Sequence, residues 1–484
     1  MTEKSRAVLF KRIMIINPSS SVKMTKEGRV IMSLNISFEP PRMPLSMAIM
    51  AAGLEQRSGD VKIVDSVNMG LSRASERAII ASYGPDLVIV NASTPTITDD
   101  MASIRDAKSL GAYTAAFGQH IDALPLETMA DHPDLDFCFL QEPELVAAKF
   151  VDHWNSRDKL DNSLGLAYRS EDGQPILTPP YPRASLETFP PPARHLLDQS
   201  LYRLPDGEIY TTLLASRGCP YDCGFCVAPV YHGLKTRRRD PISLVNEVIE
   251  VAENSHIRAV MFQSDLFTSQ KKWVIEVCQE LIQRAPPIRW ICNSRVDTVD
   301  EETLVMMKKA GCFLIGVGIE SGSPRMLSVL GKKKVEPERI EWMIHTCRRL
   351  GIMTNGSFVI GYPGETIESL RQTEELVMRL PLDFAVFMCA APFPGTRLYQ
   401  YLTDPETPHR LTGNWENIAF HDYVIEGGLS PETVKQFNSR IWRKYFFSLH
   451  YAKLRLRDLK HPVRLTKTIW YALKRLQKMR KSFR

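Results

Sequence analysis

Between Arg12 and Gln141 the chain alternates compact apolar runs with longer stretches whose apolar positions recur at helical spacing. RIMIINP, VKIVDS, DLVIVNA, AYTAAFG and LDFCFLQ are apolar at most positions, as strands buried on both faces are. Between them PLSMAIMAAGLEQRSG, with Pro44 near its start, and TDDMASIRDAKSLG read as helices. Strand–helix alternation predicts an α/β fold that begins with a doubly wound parallel sheet. Ligands of such sheets bind at the carboxyl ends of the strands. Here those ends are the loops NPSSS (17–21), NASTPT (91–96), FGQH (117–120) and QEPE (141–144).

The pattern breaks at residues 171–205, where eight prolines, including Pro190, Pro191 and Pro192, block helix and sheet interiors and predict an extended strap. A second β/α series follows. TTLLASRG, RAVMFQS, IRWICNS, FLIGVGIES, GSFVIGYPG and FAVFMCAAP are its strands, separated by helices such as PISLVNEVIEVAEN and DEETLVMMKKAG. Six units predict a partial (β/α)6 barrel with its site at the strands' carboxyl ends. The expected division is 1–155 for the first sheet, 156–210 for the linker, 211–411 for the barrel and 412–484 for a helical C-terminal region.

Length and charge refine this picture. The 484 residues exceed one ordinary core, in keeping with several domains. The net charge of +6 is uneven, because residues 440–484 carry 15 Lys or Arg against the single acid Asp458. The body therefore keeps 54 acidic residues against 46 basic ones, which argues against nucleic-acid binding. Within the basic tail, Leu465, Ile469, Ala472, Leu473, Leu476 and Met479 fall at helical spacing, with Lys467, Lys474, Arg475 and Lys478 mostly elsewhere around the helix. Such a helix suits peripheral contact with an anionic membrane surface, or packing on the barrel with a solvated charged face. The opening MTEKSRAVLFKRIMIINP has too short an apolar segment for a signal peptide, and no run approaches a membrane span, so a cytoplasmic location is expected.

A reducing cytosol argues against a disulfide framework for the nine cysteines. Cys138, Cys278, Cys292, Cys312, Cys347 and Cys389 sit singly in apolar segments and read as small buried hydrophobes. The other three are crowded into RGCPYDCGFCVAP as C-x-x-x-C-x-x-C: Cys219, Cys223 and Cys226. Three thiolates at this spacing suit zinc, an iron–sulfur cluster or no metal. Zinc needs a fourth ligand, for which His232 is the nearest candidate, but the usual paired spacing is missing. A cubane with only three protein thiolates keeps one iron open to an external ligand. Gly218 and Gly224 allow tight turns around such a core, and Pro220 and Pro229 stiffen its ends.

C-x-x-x-C-x-aromatic-C directly after the first strand of a six-fold β/α series, with Phe225 at the aromatic position, resembles the radical S-adenosylmethionine (SAM) superfamily. The resemblance implies a [4Fe-4S] cluster on Cys219, Cys223 and Cys226 whose open iron binds the amino and carboxylate groups of SAM. It implies reductive cleavage of SAM to methionine and a 5′-deoxyadenosyl radical, and an electron donor such as flavodoxin or ferredoxin. CNSRVD, GIESGS and IGYPGET resemble the segments that hold SAM there, which points to Arg295 and Glu320 as contacts to its polar groups. Phe225 and Pro363 fall in its adenine surroundings, and Asp265, which stands where relatives place an acid after the second strand, joins the expected SAM-binding set.

A parallel sheet ahead of such a barrel resembles the cobalamin-binding arrangement of the large cobalamin-dependent class. Its branch with the anaerobic magnesium-protoporphyrin ester cyclase and hopanoid-associated enzymes shares the overall layout. This resemblance places Pro44 and Leu45 near the corrin, and Ser93, Thr94 and Gly118 on its nucleotide side. FGQH keeps one of two glycines and QEPE neither. The first 155 residues contain no D-x-H-x-x-G segment, so no histidine on cobalt is expected, and His120 reads as a loop residue near the nucleotide. The expectation is an enzyme modifying an unactivated carbon of a hydrophobic small molecule, by methyl transfer or oxidative cyclisation. The alternative is a non-catalytic protein that uses its three cysteines structurally.

Overall fold

The computed structural model describes residues 9–20, 24–26, 32–33, 40–156, 160–254, 257–415 and 423–455. The tail helix expected over 465–479 lies outside them, as does Ser21 of the NPSSS loop. No helix among the described residues is long and apolar enough to cross a membrane.

The first sheet contains β1 (Arg12–Asn17), β2 (Asp60–Asp65), β3 (Leu87–Asn91), β4 (Tyr113–Phe117), β5 (Phe137–Phe139), β6 (Leu166–Arg169) and β7 (Pro175–Leu177). Their order is β2-β1-β3-β4-β5-β6-β7. The first five are parallel, with Ile15 of β1 between Ile63 and Ile89. The reversal of strand order lies between β1 and β3, so their carboxyl ends, Asn17 and Asn91, flank the crevice in which such sheets bind ligands. β6 and β7 add an antiparallel hairpin inside the stretch expected to be linker. The turn between them carries Gly173 at φ +83°. A two-strand hairpin has little periodicity to betray it, and prolines at its far end mask the signal.

The second sheet runs in chain order: β8 (Tyr210–Leu214), β9 (Ala259–Gln263), β10 (Arg289–Arg295), β11 (Cys312–Glu320), β12 (Met353–Ile360) and β13 (Phe384–Cys389), all parallel. This is the expected six-stranded partial barrel. β8 is shorter than expected, because after Ala215 the chain leaves the sheet and Ser216–Arg217 pairs antiparallel with Arg237–Arg238. The C-terminal region opens with a small ribbon, Arg410–Leu411 against Ile425–Glu426, before its helices Pro431–Phe446 and Leu449–Arg455.

Helix α1 (Leu45–Glu55) links the two sheets. It is apolar on nearly every side, as a helix covered all round must be. One continuous core joins Ile13, Ile15 and Ile89 of the first sheet through Ala48 and Leu54 of α1 to Leu214, Met261 and Ile291 of the barrel. The proline-rich strap crosses α1, with Ala193 N–H donating to Ala48 O at 2.9 Å. The two β/α units therefore share apolar interior.

Candidate functional site

The cysteine array occupies a loop whose backbone has little freedom. Gly218 adopts φ +89°, and a Cβ there would collide with the Lys235 carbonyl. Gly218 N–H donates to Asp265 Oδ2 at 2.7 Å, and Cys219 N–H to Gly233 O at 3.1 Å. Further along, Cys226 N–H closes a turn onto Cys223 O at 3.0 Å. The Tyr362 hydroxyl lies so close over Gly224 that no side chain fits there. The turn at Gly331 presses against Asp222 O and the Cys223 Cα, and Arg397 donates to Asp222 Oδ2 at 2.8 Å. Cys219 is buried and the other two thiols are half-buried, and none of the nine cysteines forms a disulfide.

Of the two charged groups expected from the sequence, Arg295 touches this loop and Glu320 reaches it through Lys332. Arg295, at the end of β10, forks onto Asp297 with bonds of 2.9 and 3.0 Å and stacks 3.7 Å over the Tyr221 ring. Its Nη1 also stands 3.5 Å from Cys223 Sγ. Burial works against the guanidinium charge, but Asp297 and Cys223 outweigh it. Glu320, at the end of β11, is a non-glycine residue at φ +68°, where the pairing register with β12 shifts. Left-handed backbone at such a residue stores strain of the kind concentrated at functional sites. Its Oε1 pairs with Lys332 Nζ at 3.0 Å, and Gly318 leaves the room that this carboxylate occupies. Lys332 follows Gly331, so Glu320, Lys332 and the Cys223 backbone are successive neighbours. Phe225 is half-buried against the large core, and Pro363 is buried in the turn that carries Tyr362 over Gly224.

Asp265 stands apart from these contacts. Its Oδ2 accepts from Gly218 N–H and meets His232 Nδ1 at 2.7 Å, which makes it a support for the start of the cysteine loop. The same pairing commits one nitrogen of His232, the residue weighed as a fourth zinc ligand. Among the described residues no three His, Cys, Asp or Glu side chains converge on a single ion. The donor set does fit an anionic iron–sulfur cluster: three thiols on one loop, with the Arg295 guanidinium beside one sulfur.

The strand ends of the first sheet bring Ser93, Thr94, Gly118 and His120 together. Ser93 Oγ lies 2.7 Å from Thr96 Oγ1, and Ser93 N–H donates to Asp100 Oδ2 at 3.0 Å. Buried Lys26 binds Asp100 and donates to Asn91 O at 2.9 Å. Thr94 Oγ1 lies 3.1 Å from His120 Nδ1, and Trp415 of the C-terminal region meets the His120 ring edge-on at 5.5 Å. Burial lowers His120 to about 4, so its imidazole is neutral at pH 7. The glycine requirement at Gly118 (φ +122°) comes from its approach to the Ala92 carbonyl, within the sheet itself. Pro44 caps α1, and Leu45 reaches the barrel, where it lines a cavity of about 10 Å³ with Ser46, Ser216, Arg217, His232 and Asp265. That volume suits one water molecule.

The same seam carries a cluster that the sequence reading missed. Arg217 Nη1 donates to Glu142 Oε2 at 2.9 Å and Glu144 Oε2 at 3.2 Å, and its Nη2 binds Glu144 Oε1. QEPE was legible as a strand-end loop, but nothing in its composition named Arg217 as its partner. Lys332 and Tyr362 were missed for the same reason.

The profile of the Radical SAM superfamily matches residues 213–377. An uncharacterized methyltransferase of Pyrococcus horikoshii is 31% identical over 84% of this chain and 87% of its own length. The anaerobic magnesium-protoporphyrin IX monomethyl ester cyclase of Rubrivivax gelatinosus is 27% identical over 71% of this chain and 63% of its own. Among solved structures, the radical SAM methyltransferase TsrM of Kitasatospora setae, with cobalamin and a [4Fe-4S] cluster bound, superposes with a TM-score of 0.68. That comparison has 18% identity and covers 92% of this chain and 89% of that one, a likeness of fold.

Proposed function

The chain belongs to the radical SAM superfamily, and from that membership we propose a cobalamin-dependent enzyme that methylates an unactivated carbon of a small, largely apolar molecule. Methyl transfer is preferred to cyclisation because the methyltransferase relative spans more of the chain, and of itself, than the cyclase does. The observation that carries the reading is the seam. The cysteine loop, the start of α1 and the strand-end loop QEPE meet there, so groups held on the two sheets face each other.

When bound, the reduced cluster supplies the electron that cleaves SAM, and cobalamin supplies the methyl group. In this reading Cys219, Cys223 and Cys226 hold the cluster and Asp265 holds the loop's entry. Arg295, forked onto Asp297, would meet the carboxylate of SAM. Glu320, seated by Gly318 and oriented by Lys332, would accept from its amino group, and Phe225 and Pro363 would border the adenine. Pro44 and Leu45 would lie near the corrin, and Ser93, Thr94 and Gly118 would line its nucleotide side. A flavodoxin- or ferredoxin-type donor in the reducing cytosol provides the electron.

Anaerobic reconstitution with iron and sulfide, then hydroxocobalamin, SAM and dithionite, tests this reading. Release of 5′-deoxyadenosine together with S-adenosylhomocysteine is expected. 5′-Deoxyadenosine alone moves the reading to cyclisation, and absence of both products sinks it. Replacing any of the three cysteines by Ala should abolish the four-iron signal. Glu320→Gln and Arg295→Ala should instead keep the cluster and weaken SAM binding about tenfold or more, the usual effect of losing a charge-assisted hydrogen bond.

A further inference from the structure

We propose that Arg217, clamped by Glu142 and Glu144, is a positioning residue that fixes the cysteine loop against the cobalamin-side sheet, and so sets the gap across which the methyl group passes. This rests on the reading above for what occupies the two sides. The clamp itself rests on geometry. Arg217 is about 5% exposed at its side chain, and Glu142 and Glu144 at most 1%. The glutamates flank Pro143 at the start of helix α2 (Pro143–Asn155), which packs on α1. The guanidinium lies 4.8 Å over the Phe189 ring of the strap. Arg237, on the strand paired with Arg217, reaches Glu142 at 2.7 Å, and Arg183 stands 3.6 Å from it. Burial pushes Glu142 up, but Arg217 and Arg237 outweigh it and hold the carboxyl below its ordinary range.

Asp265 holds the cysteine loop in its own fold, while Arg217 holds that loop to the neighbouring sheet. Only Gly218 separates Arg217 from Cys219, and Gly218 is held by Asp265 and wedged against Lys235. On the other side only Leu140 and Gln141 separate the end of β5 from Glu142. A two-carboxylate fork of this kind needs the planar guanidinium, and a lysine ammonium cannot reproduce it.

The test uses the full-length chain reconstituted with iron and sulfide in the presence of hydroxocobalamin. Arg217→Met leaves two glutamates buried against fewer cations and risks misfolding, so the charge-neutral Arg217→Met/Glu144→Gln pair is measured beside it, with Glu142 still paired to Arg237. Iron content, cluster absorbance and SAM affinity should match the wild type. Corrin affinity should fall about tenfold or more. Hydrogen exchange should accelerate together at 142–146 and 217–219, on both sides of the seam, and Arg217→Lys should fall between. Unchanged corrin affinity and exchange in the double variant overturn the proposal. Loss of cluster along with corrin also overturns it, since Arg217 would then be a simple folding element. If the wild type takes up a cluster but no corrin, the cobalamin reading falls, and the clamp stands or falls on whether the two segments lose protection together.

Discussion

Gly224 shows how a single residue can be required by a neighbour distant in sequence. Its Cβ would meet the Tyr362 hydroxyl, while the ring carbon behind that hydroxyl lies 3.5 Å away, at ordinary contact distance. Gly224→Ala should therefore displace the loop between Cys223 and Cys226 and lower cluster content. Gly224→Ala/Tyr362→Phe removes the colliding oxygen and should restore it. Iron and sulfide analysis of the two variants decides the matter, and equal loss in both would show that the glycine is needed for its backbone alone. The strained Glu320 and the forked Arg295 belong to the same scale. Each is a polar group at a strand end whose conformation is set by neighbours distant in sequence or by a local fork.

At the scale of elements, the turn from β5 into α2 concentrates acids. Asp122, half-buried, accepts from Gln141 N–H at 2.7 Å, with Glu142, Glu144 and Arg183 as its charged neighbours. Burial pushes it up to about 7 from the ordinary aspartate value of 3.8. The folded chain thus binds this proton more tightly than the unfolded chain does. Stability from this group is complete below about pH 4 and is lost as pH rises through 7. Asp122→Asn cannot titrate, so its melting temperature relative to the wild type should improve between pH 5 and pH 8. A difference that stays constant across that interval would falsify the assignment. Glu365, pushed up to about 7 by burial beside Gly361, adds to the wild-type trend in the same direction and is common to both proteins.

For the molecule as a whole, the shared core has a direct consequence. Ile13, Ile15, Ala48 and Leu54 pack in one cluster with Tyr210, Leu214, Met261 and Ile291, so the first sheet and the barrel cover each other's apolar surface. A fragment ending near residue 205 would expose that surface to water, and contiguous apolar patches drive association. It should be insoluble or aggregated, whereas the full chain should unfold with far-ultraviolet circular dichroism and tryptophan fluorescence changing together. A soluble, monomeric fragment with a cooperative transition would show that the units are independent. The Arg217 clamp adds a polar tie across the same boundary.

Periodicity and short-range spacing encode what neighbours in sequence do. They were enough for the parallel strands of both sheets and the six-unit barrel, whereas for Cys219, Cys223 and Cys226 they named a thiolate loop and the family resemblance supplied the cluster. That Arg295 and Glu320 end strands was legible, and the strands do end on them. The hairpin Leu166–Leu177 was not, because two short strands closed by prolines show too little alternation. Asp265 was legible as an acid near the loop, but its task as the support of Gly218 and His232 was not. The pairing of Arg217 with Glu142 and Glu144 spans 75 and 73 residues. A glutamate at a strand end reads the same in sequence whether it meets water or a guanidinium. Only packing, which removes the water and leaves one partner within reach, decides between them.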